Sequence, residues 1–132
     1  MKLASVPANH GPLHNHILGA LRSDDYDRLL PHLELQPLGL GLALYESGDA
    51  QGHVYFPTTS VVSLLYVMED GASAEIAVVG NEGVVGIALF MGGESTPSRA
   101  VVQSAGHCYR LRPSVLKSEF EKGGELRHLL LR

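Results

Sequence analysis

One cysteine, Cys108, is the whole thiol content of the chain. That excludes an internal disulfide and any cysteine-rich zinc site, and it makes a reducing cytoplasm the natural compartment. No apolar run reaches the roughly 18–20 residues that a bilayer crossing needs, so the sequence implies no membrane span. The N-terminal stretch MKLASVPANHGPLHNH carries one Lys and no apolar core, which is not the layout of a secretory signal. Basic residues are scarce over most of the chain. Residues 1–98 hold 3 Lys and Arg against 11 Asp and Glu, a net of −8. Such a body cannot supply the basic face that neutralises DNA phosphates. Residues 99–132 reverse the balance, with 7 basic and 3 acidic residues, a net of +4. That stretch is too short and too evenly spaced to form a DNA-binding patch by itself.

What is present is the material of one ordinary globular domain. The 132 residues are 45% hydrophobic and 18% charged, a balance that a packed core accommodates and a disordered tail does not show. Residues 1–14, with Pro7, Gly11 and Pro12, have no periodicity and read as a flexible lead-in. Two short helices are expected next. Ile17, Leu18 and Leu21 share one helical face, and Ser23 reads as an N-cap ahead of Asp24, Asp25 and Asp27, whose carboxylates suit a helix start. Tyr26, Leu29, Leu30 and Leu33 continue the stripe, and Pro31 is expected to kink or end it.

From about Glu34 to Arg112 the pattern is β. Short apolar runs alternate with turn residues, as at Ser47-Gly48-Asp49, Gly80-Asn81-Glu82-Gly83 and Ser104-Ala105-Gly106. Asp70-Gly71 between Val61–Met68 and Glu75–Val79 is a hairpin signal, because both residues accept positive φ. Many short strands without βαβ alternation argue for a sandwich, roll or barrel. Pro113 then opens a helix with Val115, Leu116 and Phe120 on one stripe, stopped by Gly123-Gly124. A further helix begins at Glu125 and carries no stop signal, so the chain is expected to end inside a longer element.

The stretch GVVGIALFMGGESTPSRAVVQ, Gly83 to Gln103, is the candidate site. It combines a glycine-bracketed apolar turn, Gly86-Ile87-Ala88-Leu89, with an arginine at a strand start, Arg99-Ala100-Val101-Val102. Backbone N–H groups at the head of a short helix, facing an Arg, make an anion cradle. The same residues also suit a roll whose glycines are turns and whose Arg is a solvated strand end.

At this point the chain resembles a known family. LALYESGD (Leu42 to Asp49), HVYFPTTSVVSLLYVMEDG (His53 to Gly71) and EIAVVGNEGVVGIALFMGG followed by SRAVV (Glu75 to Val102) are similar to the effector domain of Crp–Fnr bacterial transcription regulators. The resemblance covers roughly residues 15–132. It implies a mainly β fold, a double-stranded β-helix or jelly roll of the cyclic-nucleotide-binding kind, with short flanking helices and the start of a long dimerisation helix. The implied boundaries are a lead-in at 1–14, the roll with its flanking helices at 15–123, and the start of the dimer helix at 124–132. A helix-turn-helix DNA-binding domain would follow, and the regulator would be a homodimer. Leu126, Leu129 and Leu130 form the stripe expected to face the partner. The implied ligand-binding positions are Gly86, Ile87, Ala88, Arg99 and Ala100.

Departures from the family pattern bear on the ligand. Where nucleotide-binding members carry a Glu for the ribose hydroxyl, this chain has Ile87. Where a Ser or Thr commonly follows the Arg, it has Ala100. An unpaired buried group costs about 1–3 kcal/mol, roughly a factor of ten to a hundred in affinity. Weak or no cAMP binding in the standard mode is therefore expected. Glu82 comes too early to replace the missing carboxylate, and Glu94 reads as a surface or ion-pair residue. Cys108 alone cannot ligate an iron–sulfur cluster and reads as a packed residue. His53 and His107 do not form a recognisable haem-ligand pair.

The expected function is that of a sensor domain with no resident cofactor and an unidentified small-molecule effector. One alternative is a degenerate domain that only dimerises. Another is a cupin-like metal enzyme built on His14-Asn15-His16 with His10. That pair precedes the first helix, and no suitably placed Glu follows it. No catalytic residue and no metal ligand is assigned.

Overall fold

The computed structural model describes residues 11–46, 53–86 and 98–122. Of the expected lead-in, Pro12–His14 form a single 3-10 turn. Helix α1 (His16–Gly19) follows, capped by the Asn15 side chain, and then α2 (Ser23–Leu29). The α2 start differs from the expected one. Arg22 is the flanking residue and Ser23 lies inside the first turn, because the Arg22 carbonyl already accepts from the Tyr26 N–H at 2.9 Å. The ring closes one residue earlier than a serine cap requires. At its other end α2 passes into a 3-10 turn at Leu30–His32. Pro31, which has no N–H to donate, ends the α-helical ladder there.

Seven strands follow: β1 (Glu34–Leu38), β2 (Ala43–Tyr45), β3 (Val54–Pro57), β4 (Val61–Val67), β5 (Ser73–Val79), β6 (Ser98–Ser104) and β7 (Gly106–Leu111). They form two antiparallel sheets, ordered β1-β7-β3 and β2-β6-β4-β5. The Asp70-Gly71 hairpin is present between β4 and β5, with Val67 opposite Ser73. Gly71 takes φ +90°, and the Asp70 carboxylate accepts the Ala72 N–H at 3.0 Å. Helix α3 (Pro113–Glu121) closes the described part, with its proline in the first turn as expected. The fold is the mainly β jelly roll with short helices that the sequence implies. No described helix is long and apolar enough to cross a membrane.

Two hydrophobic clusters lie on either side of the three-stranded sheet. On one side Val54 and Phe56 of β3 and Leu111 of β7 pack with Leu18, Leu29 and Leu116 of the three helices. On the other, Leu38 and Cys108 pack with Val62, Val85, Ala100 and Val102, joined by Tyr55. Strand alternation explains the split: Tyr55 lies between Val54 and Phe56 and points the opposite way. The helical layer is also tied by charge. Arg28 of α2 pairs with Asp25 and reaches the buried Glu119 of α3 at 3.3 Å, and Lys122 meets the same carboxylate at 3.1 Å.

One tight approach fixes the β6–β7 turn. The His107 carbonyl accepts from the Thr58 N–H at 3.1 Å and the Ser60 hydroxyl at 3.0 Å, and the His107 N–H donates to Thr59 Oγ1 at 2.9 Å. This draws Thr59 so close to Gly106 that an added Cβ would lie 2.5 Å from the Thr59 carbonyl carbon and oxygen. Those atoms are backbone and cannot swing away. Gly106→Ala is expected to cost about 1–3 kcal/mol through overpacking. In urea titrations the midpoint should fall with an unchanged slope.

Candidate functional site

Arg99 enters the site through the register of β6. It stands opposite Leu65 of β4, and Ala100 stands opposite Leu64 of β4 and Tyr45 of β2. The next residue after Tyr45 is Glu46, so pairing β2 with β6 delivers a carboxylate to the arginine. Arg99 Nε lies 2.8 Å from Glu46 Oε1, and the outer guanidinium nitrogen lies 3.2 Å from Oε2. This is a two-point fork, a geometry that suits carboxylate and phosphate alike. Both side chains are partly exposed, Arg99 at 34% and Glu46 at 54%, so the pair adds little to stability. Its significance is chemical: the guanidinium is held by an internal anion. Ala100 turns the other way and is fully buried between the sheets.

Gly86 is the second candidate position among the described residues. It is buried with φ +101°, and a Cβ there would lie 2.9 Å from the His53 carbonyl oxygen. Glycine is required both by that conformation and by that contact. The residue before it, Val85, exchanges two 2.8 Å backbone hydrogen bonds with Tyr55. Upstream, the Gly83 N–H donates to the Gly80 carbonyl at 3.2 Å, and the Glu82 carboxylate folds back to accept the Gly80 N–H at 3.2 Å. Ile87, Ala88 and Glu94 lie outside the described residues, as do Leu126, Leu129, Leu130 and His10.

The other candidates settle into structural surroundings. Cys108 is fully buried in the inter-sheet cluster, and burial pushes its thiol up to about 12, slightly opposed by Arg110. His53 stands beside Tyr55, ring centroids 6.3 Å apart. Burial and then Arg110 lower its pKa, while Glu34 opposes them. His14 and His16 are exposed and flank a fully buried Asn15. An open cleft of about 490 Å³ at the end of the β4–β5 hairpin is lined by Tyr66, Met68, Glu69 and Asp70, and neither Gly86 nor Arg99 lines it.

Two residues that matter here were not singled out from the sequence. Glu46 stands within the quoted YESGD turn, but its pairing with Arg99 follows only from the β2–β6 register. Asn15 was seen only as the spacer of a His-x-His pair. Its position two residues before Ile17, with an apolar helical face following, was an N-cap signal.

A family model described as a cyclic nucleotide-binding domain matches residues 36–122. Among solved structures, the chain is similar to the catabolite activator protein of Thermus thermophilus, with 16% identity and a TM-score of 0.73 over 87% of this chain and 54% of that one. It is also similar to the N-terminal domain of a transcriptional regulator from Streptomyces coelicolor A3(2), at 22% identity and a TM-score of 0.70 over 92% and 86%. A third is the regulatory subunit of a cAMP-independent protein kinase A from Trypanosoma cruzi bound to guanosine, at 16% identity and a TM-score of 0.78 over 91% and 42%. The chain thus spans about half the length of the Thermus protein. Likeness at these identities establishes the shared fold. No curated protein matches the chain.

The thiol offers a direct check on the inter-sheet core. With its pKa raised to about 12, against about 8.5 for a free cysteine, Cys108 stays protonated at pH 8 in the folded chain. A raised acid pKa favours folding below the unfolded value, and that contribution is lost as pH climbs toward the folded one. Ellman's reagent at pH 8 should label native protein at least about a thousandfold more slowly than the guanidinium-unfolded chain, since the thiolate is the nucleophile.

Proposed function

The chain belongs to the cyclic nucleotide-binding domain family, and from that premise we propose that it is the sensor domain of a transcription regulator of the Crp–Fnr kind. The observation that carries the reading is the Arg99 fork on Glu46. A small anionic effector takes the place of the Glu46 carboxylate on the guanidinium, and the β2 end is released from β6 side-chain contact. Standard cAMP recognition is disfavoured by Ile87, and by Ala100, whose buried methyl offers no hydroxyl. DNA contact belongs to a helix-turn-helix domain in the complete regulator. Leu126, Leu129 and Leu130 would pair two copies as a homodimer in the cytoplasm, with no resident cofactor. Effector binding would shift the population between two dimer arrangements. The acidic balance of residues 1–98 supports a body that need not touch DNA.

A second reading, a scaffold that dimerises without a ligand, is favoured by the same fork, because Glu46 already satisfies Arg99. Among the described residues nothing favours the cupin-like alternative: His14 and His16 flank a buried structural asparagine rather than converging.

Calorimetric titration with cAMP, cGMP and cyclic di-GMP separates the first two readings. On the sensor reading at least one of them binds, Arg99→Ala weakens that binding about tenfold or more, and Glu46→Gln strengthens it by removing the competing anion. Binding that ignores Arg99→Ala would remove the anion site. If none of the three nucleotides produces heat with the wild type or with Glu46→Gln, the scaffold reading stands.

A further inference from the structure

Asn15 is fully buried, and its carboxamide is saturated. Nδ2 donates to the Pro57 carbonyl at 2.8 Å and to the Gly83 carbonyl at 2.9 Å. Oδ1 accepts the Ile17 and Leu18 N–H groups at 3.0 and 3.2 Å. Two donors and one two-lone-pair acceptor are the full capacity of an amide side chain. It joins three separate pieces: the start of α1, the end of β3 and the turn ahead of Gly86. The same turn is held at two further points, where the His16 N–H donates to the Asn81 carbonyl at 2.7 Å and Asn81 Nδ2 donates to the His14 carbonyl at 3.3 Å.

We propose that Asn15 is the positioning residue of the ligand loop, clamping residues 80–83 to α1 so that the approach to Gly86 is set by the helical layer. The proposal rests on the reading of Gly86 as the head of the effector-binding stretch. The geometry makes the loop a rail with two fixed sides. Gly83 is held by Asn15, and two residues on, Val85 is held by Tyr55. Between them the chain has little freedom to place Gly86 elsewhere. The clamp also reaches the output side, because Leu18 of α1 packs in one cluster with Leu116 of α3. An effector that moves the loop must either break the clamp or carry α1 with it, and Leu18 of α1 belongs to the same core cluster as Leu116 of α3. Regulation of the site would therefore pass through the bonds that Asn15, His14 and His16 make with residues 81–83.

Only an amide of this length does both jobs. Aspartate keeps the cap but sets a carboxylate against two carbonyl oxygens. Serine keeps a capping oxygen but is too short to reach Pro57 and Gly83. Leucine loses all four bonds.

Hydrogen exchange on the full chain tests the clamp without any ligand, so failure of the nucleotide titrations cannot be mistaken for failure of this proposal. In the wild type, at low denaturant, the Gly83 and Val85 amides should open together with the Ile17 and Leu18 amides as one unit, below global unfolding. Asn15→Ser should speed exchange at Gly83 and Val85 about tenfold or more while the β4–β5 amides keep their protection. Leu18→Ala, compared at matched global stability, should not do so. Should Asn15→Ser prove unfolded, the wild-type isotherms decide. Independent opening of the loop and α1, or a Gly83–Val85 change in Asn15→Ser that merely tracks global stability as in Leu18→Ala, would overturn the proposal.

Discussion

Strand β7 has to satisfy two cores at once. It lies between β1 and β3, and its side chains alternate between the helical layer, which receives Leu111, and the second sheet, which receives Cys108. Because core residues leave β7 on both faces, a one-residue slip would exchange the two sets. Its register with β1 runs without interruption from Glu34–Arg110 to Leu38–Gly106, and its register with β3 from Val54–Leu111 to Pro57–Cys108. Gly106 marks the end of that frame, where the Thr58–Ser60 turn presses against backbone. The middle layer thus meets both the helices and the second sheet.

Two polar side chains of this interior, Asn15 and Glu119, are each met by several partners. Asn15 fills all four of its hydrogen-bond positions. Glu119, 9% exposed at its side chain, is met by Arg28 and Lys122. Removing one partner of a buried group costs more than forming the pair gains, so these links are specific as well as stabilising. They join segments far apart in the sequence: 42 and 68 residues for Asn15, and 91 for Arg28 with Glu119. The helical layer is therefore bound to the loop of the candidate site at one end and to α3 at the other.

What could be read from the sequence follows from the range of each interaction. The Asp70-Gly71 hairpin, the Pro113 helix start and the end of α2 near Pro31 depend on residues a few positions apart, and each is present. The α2 start was misplaced by one residue because the competition between a serine cap and the Arg22 carbonyl is settled by where the first ring closes. The roll itself was legible through motif resemblance. Glu46 and Asn15 were not assigned, because their roles depend on register and on burial against distant carbonyls, which local pattern does not carry.

The two halves of the candidate site differ in kind. Gly86 is a backbone requirement, enforced by a left-handed φ and by the His53 carbonyl, and it would persist whether or not anything binds. Among the described residues, Arg99 is met by the half-exposed Glu46 carboxylate, in a contact that solvent and competing anions can exchange. Arg99 itself sits on the second sheet and is not part of the helical cluster. On the reading proposed above, response to an anion would rest on Arg99, and the course of the loop ahead of Gly86 on Asn15.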